Sequence, residues 1–375
     1  EEFHRMPMLS LLTYSIQTLI LAALLVIVCL RLRTLDLYLA GTIVFWVVAV
    51  VAIYARYKTD QVYFYSNDQE YHLQLMRYYI PVEGLGLGFK ELTNWRYPVI
   101  LPAYFLSKVG FDPILANKFI HFLYLIATYK SGQRFLAQHK IRPQWWHVAL
   151  FCGPLLIFMS ALALRDLAIA FFVMSFFLER NPAYRVLGLI GTLLLRPHLA
   201  VAVVVGSLIS FLFKNLKIKY FIPGIALFTV LTYTFGSYMY FVGATVKEKI
   251  PLRAPTEIFT QFKFTRFAAN FFGLQFLTLD DTVVAASVPV LFLSRLVFFD
   301  TLLTPLIFLI VLFMPLAKWN QLRTSVFFTF VFFYGLVSQT DWNSSRQNMP
   351  FFVMMGLVAI VGIEGRKASR EELVA

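Results

Sequence analysis

The sequence predicts an all-α polytopic integral membrane protein with about ten to thirteen membrane helices, some of them broken or re-entrant. Three observations predict it. Of the 375 residues 59% are apolar and only 14% charged, against roughly 45–50% and 25% in an average soluble domain. Apolar runs able to cross ~30 Å of hydrocarbon recur from end to end, with a mean hydropathy of +0.71. No polar stretch between them reaches the ~100 residues of a typical extramembrane domain, so residues 1–375 read as a single transmembrane domain. The only two cysteines, Cys29 and Cys152, both lie inside apolar runs, which excludes a disulfide scaffold or a structural zinc site.

The apolar segments fall at 9–30, 37–55, 98–109, 113–134, 145–164, 166–178, 183–195, 197–213, 220–243, 284–299, 301–317, 324–338 and 349–364. The first is long enough to span and lacks a small-residue cleavage site, so no cleavable signal peptide is expected. Segments 98–109, 166–178 and 183–195 fall short of the ~20 residues that a straight crossing needs. They are expected to be tilted, broken or re-entrant, which backbone tolerates at membrane depth only where protein or a watery cavity encloses it. No internal repeat is visible, which counts against inverted-repeat transporter folds.

Charge orients these segments. The excess of 33 Lys and Arg over 20 Asp and Glu gives +13, more than so little aqueous surface requires, and implies anionic partners such as lipid headgroups or a phosphorylated lipid. Short basic loops at Arg31/Arg33, 138–144, 179–185, 214–219, 318–323 and 366–370 are expected on the cytoplasmic side. Loops at 56–97, 244–283 and 339–348 then share the opposite side, with the turns at Arg165–Asp166 and Arg196–His198. Segment 98–109 fits this order only if it is re-entrant or interfacial, or if the amino terminus lies on the other side.

The first outer loop carries Asp68 and Glu70, two carboxylates two residues apart. Such a pair can share a proton, hold a cation, or act as base and orienter for an attacking hydroxyl; a solvated amphipathic loop is the bland alternative. The cluster Asn94-Trp95-Arg96-Tyr97-Pro98 that follows favours chemistry, because aromatic rings stack on sugars and arginine binds phosphate. Between apolar stretches lie Arg165-Asp166 and, about thirty residues later, Arg196-Pro197-His198. Ionisable groups at membrane depth cost from ~3 kcal/mol upward and are functional candidates by default. Arg165 could instead pair with Asp166, and His198 could satisfy a carbonyl. Two arginines at equivalent outer turns suit pyrophosphate, whose oxygens match the guanidinium fork.

The second outer loop interleaves Lys247, Lys249, Arg253, Lys263 and Arg266 with phenylalanines, a pattern for a segment lying over lipid phosphates or serving as a peripheral anchor. The third holds Asp341, Trp342, Asn343 and Arg346, able to stack on and hydrogen-bond a glycan or a phosphate, where the plain alternative is a polar turn. No P-loop, dinucleotide fingerprint, His-x-x-x-His pair, Gly-x-Ser-x-Gly elbow or Cys-x-x-Cys occurs, and nothing supports nucleic-acid binding.

Asp68–Glu70, the Tyr97-Pro98 segment and Pro154…Ser160…Arg165-Asp166 together resemble the GT-C glycosyltransferases that use lipid-linked sugars. Arg165-Asp-x-x-Ala, the second Arg196 and a closing polar loop with Arg346 resemble the O-antigen and exopolysaccharide polymerases, and the missing large carboxy-terminal domain favours that group. The resemblance implies a GT-C-like bacterial inner-membrane enzyme of lipopolysaccharide or other polysaccharide biosynthesis. It would join undecaprenyl-pyrophosphate-linked glycans on the periplasmic side, with a chain-length regulator as a further partner. Asp68, Glu70 or His198 would activate the acceptor. Arg165, Arg196 and Arg346 would hold pyrophosphates, assisted by Arg96, Asp166, Arg253, Arg266, Asp341, Trp342 and Asn343. No cofactor is expected, although Asp68 and Glu70 leave room for a divalent metal. A GT-C transferase adding a single sugar from a polyprenyl-phosphate donor and a lipid-glycan or ion transporter are the alternatives.

Overall fold

The computed structural model describes residues 10–57, 72–80, 96–163, 165–212, 322, 325–330 and 345–374. The expected segments at 220–243, 284–299 and 301–317, with most of 324–338, lie outside them. Every regular element among the described residues is helical. The chain divides into two compact units interleaved along the sequence. The first comprises residues 1–134, 152–172 and 280–300, and the second residues 135–151, 173–279 and 301–375.

In the first unit α1 (Leu11–Arg31) and α2 (Leu37–Tyr57) form an antiparallel hairpin. Both are long and apolar enough to cross a membrane. Ser10 caps α1 by accepting from the Thr13 amide at 3.1 Å, and Tyr14 stacks on Tyr54 with centroids 3.8 Å apart. α1 ends in a Schellman motif: Arg33 at φ 53° donates to Leu30, and Thr34 donates to Cys29. The same closure ends α4 (Pro113–Gln138), with Lys140 at φ 59° donating to Ala137 and Ile141 donating to Leu136. A basic residue stands at both positions where glycine is usual. Its cation complements the negative helix end and offsets part of the cost of left-handed backbone.

α4 runs parallel to α1. At the start of α4, Gln17 of α1 donates to the Gly110 carbonyl at 3.1 Å and accepts from the Asp112 amide at 2.9 Å. Farther along α4, Lys130 donates to the Leu32 carbonyl at 2.9 Å, and Tyr129 and Gln133 donate to the Asp36 carboxylate. The basic turn at 31–33 thus stands beside the second half of α4.

α3 (Tyr97–Lys108) precedes α4 and is only 12 residues long, ~18 Å. It ends beside the start of α4, while the Pro98 carbonyl at its beginning accepts from Tyr124 at 2.9 Å. Tyr124 lies 11 residues into α4, ~16 Å from its start. Segment 98–109 therefore covers roughly half the depth of its neighbour rather than all of it. The proline at 102 explains the bond: it has no N–H to give the carbonyl four residues earlier, so a side chain supplies the donor.

The expected segment 145–164 is broken into α5 (Trp145–Phe151) and α6 (Pro154–Ala161) at Cys152-Gly153. Tyr38 donates to the Cys152 carbonyl that the break releases, and α6 packs on α2. Ala163 at φ 54° then turns the chain into α7 (Asp166–Leu178).

In the second unit α8 (Pro182–Leu195) and α9 (Pro197–Leu212) are packed together. α8 buries Gly188, Gly191, Thr192 and Leu195 and exposes Tyr184, Val186, Leu187, Ile190 and Leu193. α10 (Ser345–Val374) packs on α5 with Gly356 against the Leu150 carbonyl, and Gly206 of α9 meets Thr329. Close approach of this kind is what glycine permits at helix crossings.

Candidate functional site

The first half of α4 is the most deeply buried helical stretch carrying ionisable groups among the described residues. Asp112 accepts from the Ile114 and Leu115 amides at 2.9 and 3.0 Å, with Pro113 in the first turn, so the start of the helix is fixed. From Ile114 to Phe122 every side chain is buried, which marks a helix enclosed on all sides. Within that run stand Asn117, Lys118 and His121, at 2%, 0% and 0% exposure.

Asn117 organises two histidines. Its backbone carbonyl lies 2.7 Å from Nδ1 of His121, and since a carbonyl only accepts, Nδ1 carries the hydrogen and the neutral ring keeps its basic lone pair on Nε2. Its side-chain nitrogen lies 2.9 Å from Nδ1 of His72. An amide nitrogen only donates, so neutral His72 holds its hydrogen on Nε2. The two rings are 6.3 Å apart and nearly parallel, at 21°. His72 is buried and leads into the π-helical turn Leu75–Tyr79, which packs against α3.

Arg96 occupies the N-cap of α3. Its carbonyl accepts from Val99 and Ile100, no side chain caps the helix start, and its own side chain is buried. Through Tyr124, α4 reaches α3 by the hydroxyl and α7 by the ring, with Phe171 and Phe172 at 5.7 and 5.6 Å. α7 opens on Asp166, fully buried in the first turn where a carboxylate suits the positive helix end. Arg165 just before it is partly buried, and its carbonyl accepts from Ile169 at 3.0 Å. Ser160 is buried and donates to Ile157 at 2.6 Å. About two turns of α4, from Asn117 to Tyr124, thus gather segment 72–80, the start of α3 and the first half of α7.

The second unit holds Arg196 at the junction of α8 and α9. Its amide donates to Thr192 at 2.7 Å, its carbonyl accepts from Leu199 and Ala200, and its side chain is 4% exposed. His198 and Arg346 lie in the first turns of α9 and α10. The same unit contains His147, whose Nδ1 accepts from the Gln144 amide at 3.0 Å, leaving Nε2–H 3.5 Å from Glu364.

Of the residues expected from sequence, Arg96, Asp166 and Arg196 are therefore buried, and Arg165 is half-buried. Asp68, Glu70, Arg253, Arg266, Asp341, Trp342 and Asn343 lie outside the described residues, as do the side chains of His198 and Arg346. Arg96, Arg165 and Asp166 belong to the first unit, and Arg196 to the second. His72, Asn117, Lys118 and His121 are not singled out by a loop-by-loop reading. Their signal is nevertheless in the sequence, because a lysine and a histidine interrupt an otherwise apolar span. Among the described residues no group of three or more His, Cys, Asp or Glu side chains could hold a metal ion. No family model, curated protein or solved structure matches the chain.

Proposed function

We propose that the protein is a bacterial inner-membrane glycosyltransferase of the polymerase type, joining undecaprenyl-pyrophosphate-linked glycan repeat units on the periplasmic side. The observation that carries this reading is the burial of Arg96, Lys118, Asp166 and Arg196 in a helical chain with two membrane-length apolar helices. Ionisable groups at membrane depth are functional candidates by default, and burying them is weak evidence for stability. The reading is polytopic. α1 leaves Leu12, Leu19, Ile27 and Leu30 exposed, a surface that fits hydrocarbon rather than water. α3 is the returning limb of a re-entrant segment, which reconciles the basic-loop order with the 12-residue helix.

In this reaction the acceptor sugar's hydroxyl attacks the anomeric carbon of the donor glycan. The anomeric C–O bond to pyrophosphate breaks, the hydroxyl proton passes to a protein base, and undecaprenyl pyrophosphate leaves with the bonding electrons. Asp68, Glu70 and His198 are the candidate bases. Arg165, Arg196 and Arg346 are the candidate cations for the pyrophosphates, offsetting the charge that develops on the leaving group.

Purified protein in detergent, given undecaprenyl-pyrophosphate repeat units, should yield longer glycans and free undecaprenyl pyrophosphate. Transfer needs no second compartment, so absence of product under these conditions would point to transport. Products longer by a single sugar would select a single-sugar transferase instead. Sidedness has its own check, with little background because Cys29 and Cys152 are buried. Val109→Cys should react with an impermeant thiol reagent added from the periplasm and Arg142→Cys should not. Equal labelling of both would overturn the orientation.

A further inference from the structure

The end of α1 collects more positive charge than its own structure uses. Arg31 closes the last turn of the helix and Arg33 follows in the left-handed turn. Lys130 of α4 donates to the carbonyl of Leu32, the residue between them, at 2.9 Å. Arg134 stands one turn beyond Lys130 on the same helix, where the two cations repel. All four belong to the first unit, and Arg31, Arg33 and Arg134 are exposed. The negative end of a helix amounts to about half an elementary charge, so one cation more than balances it. Asp36 is the one acidic residue from Leu11 to Tyr57 and in α4. Its oxygens are already engaged by neutral donors, the Leu39 amide on one and Tyr129 and Gln133 on the other. Among the described residues none of the four cations forms an ion pair.

Apolar surface leads up to this charge. Leu24, Ile27 and Leu30 are 38%, 51% and 58% exposed and follow one another at helical spacing along α1, ending beside Arg31. We propose that Arg31, Arg33, Lys130 and Arg134 bind the headgroup of an anionic phospholipid whose acyl chain lies along the Leu24–Ile27–Leu30 stripe. The two halves of the site select this occupant together. A soluble anion answers the cations and leaves the stripe bare, whereas a zwitterionic lipid covers the stripe and brings no net charge. Lys130 ties the turn to α4 through Leu32, and the arginine forks are left to engage phosphate oxygens. The site does not depend on glycan transfer and lies outside the residues proposed for it.

The test uses the full-length protein in neutral detergent, titrated with phosphatidylglycerol or with phosphatidylcholine of the same acyl chains, with bound lipid counted by native mass spectrometry. Wild type is expected to bind phosphatidylglycerol at least roughly tenfold more tightly, a preference that shrinks as salt is raised. Arg33→Gly and Arg134→Gln should each weaken that binding roughly fivefold, and together with Arg31→Gln roughly a hundredfold, without weakening phosphatidylcholine. Arg33→Gly also relieves the left-handed backbone at this position, so it separates loss of the cation from loss of the fold. Lys108→Gln removes one exposed charge at the end of α3 and should bind like wild type. Equal binding of the two lipids by wild type, or a preference that survives in the triple variant at matched thermal stability, would overturn the site. So would a Lys108→Gln loss as large as that of Arg134→Gln, which would reduce the effect to net charge, or displacement of the lipid by millimolar inorganic phosphate, which would assign a soluble anion instead. Should the triple variant not fold, the two single variants carry the same comparison.

Discussion

Replacing Arg196 by lysine is expected to lower polymer formation by roughly 10²–10³-fold, the usual cost of removing one positioned donor from a developing anion, while the protein still folds. The reasoning starts from its place in the chain. Arg196 is the single residue between α8 and α9, and its backbone is committed in both directions. The side chain is therefore delivered in a fixed orientation into a buried setting. Lysine keeps the charge but loses the planar fork that engages two phosphate oxygens together. Arg165→Lys should behave alike if Arg165 also holds a pyrophosphate. If instead Arg165 only neutralises Asp166, lysine suffices there and activity persists. Removing the charge is a poorer test, because an uncompensated buried partner costs ~3–5 kcal/mol and can abolish activity by unfolding. The measurement is polymer formation at matched expression and matched thermal stability. Near-normal polymer from both lysine variants would leave the two arginines structural.

The largest stability effects are expected at two glycines. A Cβ at position 206 would overlap the backbone nitrogen and side-chain oxygen of Thr329, and one at position 356 would overlap the Leu150 carbonyl. Backbone cannot move aside as the end of a flexible side chain can, so Gly206→Ala and Gly356→Ala should each destabilise by at least ~1–3 kcal/mol. Gly41 in α2 is the control, since a Cβ there meets nothing within 4 Å. Gly41→Ala should therefore hold or raise stability, by up to about 1 kcal/mol. Thermal unfolding of the three variants in one detergent decides the matter. A midpoint at position 206 or 356 no lower than that of wild type would contradict the close approach of the helices.

Hydropathy located the helices of the described residues well where composition and hydrogen bonding coincide. α7 has the expected limits, and α1, α2, α8 and α9 differ from theirs by one or two residues. It fails where they diverge. α10 runs on to Val374, beyond the expected end at 364, because backbone hydrogen bonds continue through a polar tail that an apolar criterion leaves out. The break between α5 and α6 is present in the sequence as Gly153-Pro154, a pair that interrupts helices, but the apolar residues on either side mask it. The site follows the same division. Arg96, Asp166 and Arg196 are visible because each charge stands at the edge of an apolar run. Lys118 and His121 sit inside a run that remains apolar on average, and only the enclosure of α4 on every side shows how unusual their positions are. His72 joins them through Asn117 across 45 positions in sequence, a pairing that no local pattern contains.

The short α3 also constrains how the protein can be made. Insertion machinery that tests each segment as it emerges favours stretches near 20 apolar residues, and twelve with an internal proline fall well below that length. The carbonyl that Pro102 leaves open is satisfied by Tyr124, a residue that leaves the ribosome after all of α3 has done so. On the proposed re-entrant reading, α3 would wait outside the hydrocarbon until α4 is in place, and then fold back against it. Its position is thus reached out of synthetic order, and a ribosome-bound chain ending before Tyr124 would lack the donor that completes its docking.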